Sequence, residues 1–194
     1  TGNSGLNDIE LAVNVLEKNG CNDYALLHCI SQYPAKHEDI NLRCLNTLRT
    51  AFDCVVGFSD HTTDYISSAL AVSLGASIIE KHITLDKKYY GPDHPFSLEP
   101  GELKLLVETV RNTELILGSS VKKVLKSEEE NHRIGRRSIT AAQDIKKGDT
   151  ITAEKLVIKR PAIGLHPKYL NTVIGKTAKI DIQKDKWLTW DCLI

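Results

Sequence analysis

Two histidines stand where their chemistry could combine. His61 follows the run Cys54-Val55-Val56-Gly57-Phe58, and His82 closes the run Ser77-Ile78-Ile79-Glu80-Lys81. Both runs are short, apolar and rich in β-branched residues, the pattern of a strand rather than a helix. Between them Ile66, Ala69, Leu70 and Leu74 recur at helical spacing, and Gly75 stops the helix. Thr62 or Thr63 is suited to cap that helix. If the two strands are parallel neighbours, both imidazoles lie at the same, carboxyl end of the sheet. Two neutral imidazoles converging there make half of a metal site, with the other positions open to water or substrate. Taken singly, each is better explained as a hydrogen-bonded structural residue; the pairing is what raises the ligand reading.

The elements that must carry these residues alternate along the chain. Asp8 to Lys18 is amphipathic, with Ile9, Ala12, Val13 and Leu16 on one face and Gly20 as its stop. Tyr24 to Cys29 predicts a buried strand, and Ser31-Gln32-Tyr33-Pro34 the loop beyond it. Glu38 to Phe52 predicts a helix with Leu42, Leu45 and Leu48 inside. After His82, Leu85–Pro100 is a long loop carrying Gly91-Pro92-Asp93-His94-Pro95. Pro100 opens a helix with Leu103, Leu106, Val107 and Val110 on its apolar face, ending at Gly118. This αβαβαβα order means a parallel sheet with right-handed crossovers. A Rossmann-like open sheet and a (β/α)₈ barrel both fit. No GxGxxG loop follows a strand, which counts against a dinucleotide site. Polar residues after every strand suit the carboxyl end of a barrel.

Composition removes several classes. The chain has 194 residues, 41% of them hydrophobic and 26% charged, with zero formal charge. Nothing therefore draws it to nucleic acid or to an anionic membrane. No run approaches the roughly 18 apolar residues of a membrane span, and no signal peptide opens the chain. The five cysteines, Cys21, Cys29, Cys44, Cys54 and Cys192, lack CxxC spacing. They are expected as reduced, mostly buried thiols of a cytoplasmic protein.

The pattern changes after Gly118. Lys122, Lys123 and Lys126 precede Glu128-Glu129-Glu130, a charge run expected in an interdomain linker, residues 119–135. Beyond it come short β-like pieces: Arg137–Ala141, Leu156–Lys159, Thr177–Ile182 and Trp187–Trp190. They predict a small β-rich domain over 136–194 after a larger one over 1–118. With no methionine anywhere and no strand before the first helix, the first domain is expected to be the carboxyl-terminal part of a larger one.

At this point the chain resembles the N-acetylneuraminate (sialic acid) synthase family, which includes the legionaminic and pseudaminic acid synthases. The resemblance rests on Thr1-Gly2, HCISQYP (His28–Pro34), GFSDHT (Gly57–Thr62), EKHITLD (Glu80–Asp86), GPDHPFSLEP (Gly91–Pro100), RRSI (Arg136–Ile139), IKKGDTIT (Ile145–Thr152) and KRP (Lys159–Pro161). It implies the carboxyl-terminal part of a (β/α)₈ TIM barrel followed by a small antifreeze-like (SAF) domain. The family's barrel begins about five strands earlier, and that part carries the basic residues that grip phosphate and carboxylate. The fragment alone is therefore expected to be inactive.

The resemblance also implies a reaction. These enzymes condense phosphoenolpyruvate with an open-chain N-acetylated amino sugar, release phosphate and form a nine-carbon 2-keto acid. His61 and His82 are then ligands of a divalent cation, Mn²⁺ or Mg²⁺. Ser59 matches a phosphoenolpyruvate-contacting serine that could otherwise be a helix cap, and Tyr33 lines the same pocket. Ser31 stands where some members have asparagine. Asp93 matches an acceptor for sugar hydroxyls, though Asp after Gly-Pro is by default a turn residue. Arg160 matches an arginine that the SAF domain of one protomer inserts into the partner's barrel, in a domain-swapped homodimer; otherwise it is a surface charge. Two other readings stand beside this one. One is a different metal-dependent barrel aldolase that loses no phosphate, and the other is a truncated, non-catalytic binding or dimerisation module.

Overall fold

Three strands, β1 (Ala25–Cys29), β2 (Val55–Asp60) and β3 (Ile78–Lys81), form a parallel sheet in the order β1-β2-β3. The computed structural model describes Thr1–Ile194, in two units, Thr1–Ser119 and Ser120–Ile194. In the first, the strands alternate with four helices: α1 (Leu6–Lys18), α2 (Cys44–Phe52), α3 (Ile66–Ser73) and α4 (Pro100–Leu117). The repeat is that of consecutive βα units of a barrel wall.

Successive strand residues face opposite sides of the sheet. Val56 and Phe58 take the helix-covered side, packed respectively with Ile9, Val13 and Leu48 and with Leu45, Ala71 and Ala76. Gly57 faces the other way, and a Cβ there would come within 2.7 Å of the Ile78 carbonyl and 2.8 Å of the Ile78 Cβ. Only a bare α-carbon lets β2 and β3 approach this closely.

Three local expectations are corrected. The helix expected over Glu38–Phe52 begins only at Cys44, because Asn41 turns left-handed at φ 49° and cannot continue a helix. Only a 3₁₀ turn, His37–Asp39, precedes it. On α3, Ser67, Ser68 and Ala71 are buried, while Ile66 and Leu70 are more than half exposed. Finally, neither Thr62 nor Thr63 caps α3. The Asp64 carboxylate accepts the N–H of Ile66, and the Thr62 hydroxyl is spent on Asp60. The start of α4 follows expectation, with Pro100 in its first turn and the Glu102 carboxylate accepting the N–H of Glu99.

The second unit opens with the segment expected as a linker, which carries a short helix, α5 (Glu129–Gly135). Two antiparallel strands follow, β4 (Ser138–Ala141) and β5 (Leu156–Lys159). The strands expected near Thr177 and Trp187 are present only as single bridges, Thr150 to Thr177 and Thr140 to Trp187. A one-turn helix, α6 (Leu170–Val173), was not foreseen. Ile139, Ile145, Ile151, Val173 and Leu188 are fully buried together in one core. All five cysteines are free thiols, Cys192 buried and Cys21 exposed. No helix is long and apolar enough to cross a membrane.

Candidate active site

His61 is the first residue after β2 and His82 the first after β3, so parallel pairing carries both imidazoles to one sheet edge. Their ring centroids lie 5.2 Å apart, with planes at 81°. The Nδ1 of His61 is 2.8 Å from the carbonyl oxygen of Ile30. A carbonyl only accepts, so Nδ1 carries a proton, and in the neutral ring Nε2 then keeps its lone pair. This outer hydrogen bond to a backbone carbonyl is the arrangement that orients imidazole ligands in metal sites. The backbones of both residues are anchored as well. Ala35 N–H donates to the His61 carbonyl and Leu98 N–H to the His82 carbonyl, each at 2.9 Å.

Aromatic rings wall the pair. Tyr33 sits 4.2 Å from His61 and 5.8 Å from His82, centroid to centroid. Phe96, from the loop before α4, lies 5.1 Å from His82 and 5.7 Å from Tyr33. Asp93, from the same loop, has its carboxylate 3.9 Å from His82 Nδ1 and is largely exposed. Ser59 lies two residues before His61 on the same sheet face, and its hydroxyl donates to the Glu80 carboxylate at 2.6 Å. It does not cap a helix.

Thus the structure gathers His61, His82, Tyr33 and Asp93, with Ser59 just below them on β2. Ser31 makes no hydrogen bond with any of these residues. It lines a cavity of about 600 Å³ with Thr1, Asn3, His28 and Cys29, whose walls do not include His61, His82 or Tyr33. Arg160 belongs to the second unit, where it follows β5, is exposed and makes no ion pair. Phe96, Glu80, Asp60 and Lys81 were missed from the sequence. For the last three the signal was strand parity, which assigns Glu80 to the face of Ser59 and Lys81 to that of Asp60.

On the helix-covered face the last cross-strand pair is charged. Lys81 Nζ is 3.2 Å from the Asp60 carboxylate, and the two side chains are 3% and 0% exposed. Asp60 also accepts from Thr62 N–H, Thr62 Oγ1 and Ser68 Oγ, while Lys81 donates to the carbonyls of Thr62 and Asp64. Burial pushes the Lys81 ammonium below its ordinary value, and Asp60 opposes that shift. Removing one member alone would strand a buried charge, a loss of about 3–5 kcal/mol.

The two imidazoles, with ring centroids 5.2 Å apart and His61 Nδ1 bonded to a carbonyl, offer at most two nitrogen donors to a divalent cation. No group of three His, Cys, Asp or Glu side chains is arranged to hold a metal. The comparisons with known proteins agree with this architecture. Residues 1–122 match the NeuB family and residues 136–194 the SAF domain. The chain belongs to the NeuB family of sialic acid synthases. Among NeuB relatives, the N,N'-diacetyllegionaminic acid synthase of Campylobacter jejuni is 44% identical over 96% of this chain and 56% of its own length. The human N-acetylneuraminate-9-phosphate synthase is 39% identical over 84% of this chain and 46% of its own. The crystal structure of a spore coat polysaccharide biosynthesis protein from Bacillus subtilis superposes with a TM-score of 0.56 at 34% identity, covering all of this chain and 60% of that one. The chain thus spans about half the length of the curated relatives it matches. Its fold is that of the family, the carboxyl-terminal part of a (β/α)₈ barrel followed by an antifreeze-like SAF domain.

Proposed function

We propose that this chain supplies the metal and sugar end of a nonulosonate synthase active site. The reaction joins C3 of phosphoenolpyruvate to the aldehyde carbon of an N-acetylated amino sugar, N-acetylmannosamine or a relative. Water adds at C2, phosphate leaves, and a nine-carbon 2-keto acid results. The observation that carries this reading is the His61–His82 pair at the carboxyl edge of a parallel sheet, with His61 Nε2 left free by the bond to Ile30. His61 and His82 would hold Mn²⁺ or Mg²⁺, which would supply Lewis-acid polarisation of the sugar aldehyde.

The chain's own groups do the rest. Tyr33 and Phe96 stand against the imidazoles and limit the orientations the rings can take. The Ser59 hydroxyl, which donates to Glu80 in this state, would contact phosphoenolpyruvate. Asp93 is exposed enough to accept from sugar hydroxyls. Arg160, exposed and without an ion pair, would meet the N-acetyl group from the other protomer of a homodimer.

The remaining wall of a complete barrel is needed to grip phosphoenolpyruvate, so the 194-residue chain alone is expected to give no turnover. The test is manganese-dependent phosphate release from phosphoenolpyruvate and the amino sugar, in protein carrying a complete barrel. Condensation without phosphate release would make it an aldolase instead. Manganese bound by the chain with no condensation in the complete barrel would leave a binding module.

A further inference from the structure

We propose that the buried Asp60–Lys81 ion pair is a positioning device that sets the relation between His61 and His82. The inference rests on the reading of those histidines as the metal pair. Sheet pairing between β2 and β3 ends at Asp60 opposite Lys81. No ladder hydrogen bond therefore joins the two histidines, one residue further on. Their backbone carbonyls are held by different loops, at Ala35 and at Leu98, and neither contact links one histidine to the other.

The ion pair makes that link. The Asp60 carboxylate folds the turn around itself, taking the N–H and hydroxyl of Thr62 at 2.8 and 2.7 Å and the Ser68 hydroxyl at 2.6 Å. Lys81, the residue before His82, crosses to the loop after His61. Its ammonium donates to the Thr62 carbonyl at 2.5 Å, to the Asp64 carbonyl at 2.8 Å, and to Asp60 itself. One side chain from the His82 strand thus clamps the turn that presents His61. Charge is suited to this task because an ammonium satisfies several carbonyls with fixed directions, which an apolar filler cannot do. Buried ion pairs add little net stability over apolar residues, but they can fix register.

The test uses the full 194-residue chain and three readouts: melting temperature, manganese binding by calorimetry, and the His61 tautomer by ¹⁵N imidazole NMR. The variants are Lys81→Met and the neutral double variant Asp60→Asn/Lys81→Met, which removes the stranded charge if the single variant fails to fold. Both are expected to weaken manganese binding about 10- to 100-fold, as loss of supporting contacts does in metal sites. The His61 tautomer is expected to become mixed. Leu106→Ala, a core change on α4, lowers the melting temperature and leaves manganese binding and the tautomer as they were. A folded double variant with wild-type manganese affinity and an unchanged His61 ring overturns the proposal. If the unmutated chain binds no manganese, the metal reading fails instead. The imidazole spectrum alone then decides, a redistributed tautomer supporting the clamp and an unchanged one refuting it.

Discussion

Removing His61 should separate its structural from its chemical role. With the residue only 6% exposed, it is part of the packed interior, so its loss should weaken the fold as well as the chemistry. In His61→Ala the half-buried Ile30 carbonyl loses one of its two donors and keeps the Gln32 N–H at 2.9 Å, a loss of about 0.5–1.5 kcal/mol for one hydrogen bond. The ring contact with Tyr33 at 4.2 Å adds about 0.5–1.5 kcal/mol. The total, about 1–3 kcal/mol, lowers the melting temperature by on the order of 5–10 °C. His61→Asn keeps an N–H that can reach the Ile30 carbonyl but has no nitrogen in place of Nε2. It should cost about 1 kcal/mol or less, because the hydrogen bond survives. His82→Ala, at a ring about one-third exposed with Asp93 3.9 Å away, should also cost less than about 1 kcal/mol. All three variants should lose manganese binding in calorimetry, so chemical loss and stability loss come apart. Wild-type manganese affinity in His61→Asn would show that Nε2 is not a ligand. A His61→Ala variant as stable as wild type would refute the weight placed on the Ile30 bond.

Other outcomes follow from the same geometry. Gly57→Ala should lose about 1–3 kcal/mol by denaturant titration, because its Cβ must push β3 aside, whereas Gly101→Ala, with open space around it in α4, should gain up to about 1 kcal/mol. Glu102 is held below the usual carboxylate range by hydrogen bonds from Lys87 and the Glu99 N–H, Asp149 by Lys155, Asp181 by the Lys147 N–H and Lys146, and Asp185 by Lys159. A depressed carboxyl stabilises the fold above its unfolded value and stops doing so as pH falls through its folded one, so urea midpoints should drop on acidification through and below the ordinary carboxylate range, less steeply in Asp149→Asn/Asp181→Asn. In protein with a complete barrel, Arg160→Ala should raise the KM for the sugar about 10- to 100-fold, the loss of one charge-assisted hydrogen bond, with little change for phosphoenolpyruvate. Mixing it with a His82→Ala partner should restore some turnover if the arginine acts across the dimer, and heterodimers without any rescue would rule that out.

The sheet, its parallel sense and the placing of both histidines were readable in the sequence because short β-branched runs bounded by glycine and polar turns alternate with helical spacing, an order that makes neighbouring strands parallel. What failed depended on contacts between distant segments. The spacing of Ile66, Leu70 and Leu74 pointed to the core side of α3, yet the helix buries Ser67, Ser68 and Ala71. A hydroxyl can face inward only when a buried acceptor waits for it, and Ser68 finds Asp60 at 2.6 Å. Phe96 was passed over because it sits in a loop where periodicity says nothing, although its ring stands against His82. In the second unit the expected strands became single bridges because turns interrupt each run before a ladder can form.

The Asp60–Lys81 pair is different, since the sequence held enough to find it. Counting back from His61 by parity puts Ser59 and Gly57 on its face and Asp60 and Phe58 on the other. Phe58 must be buried, so Asp60 enters the same apolar layer and requires a cation. On the adjacent strand, Lys81 stands in the same relation to His82 as Asp60 does to His61. Parallel pairing with the histidines aligned leaves it no other face, and the observed register puts the two residues opposite each other. A charge at a buried parity beside a candidate ligand therefore predicts both a partner and its position. Here the partner ties down the loop that carries the chemistry.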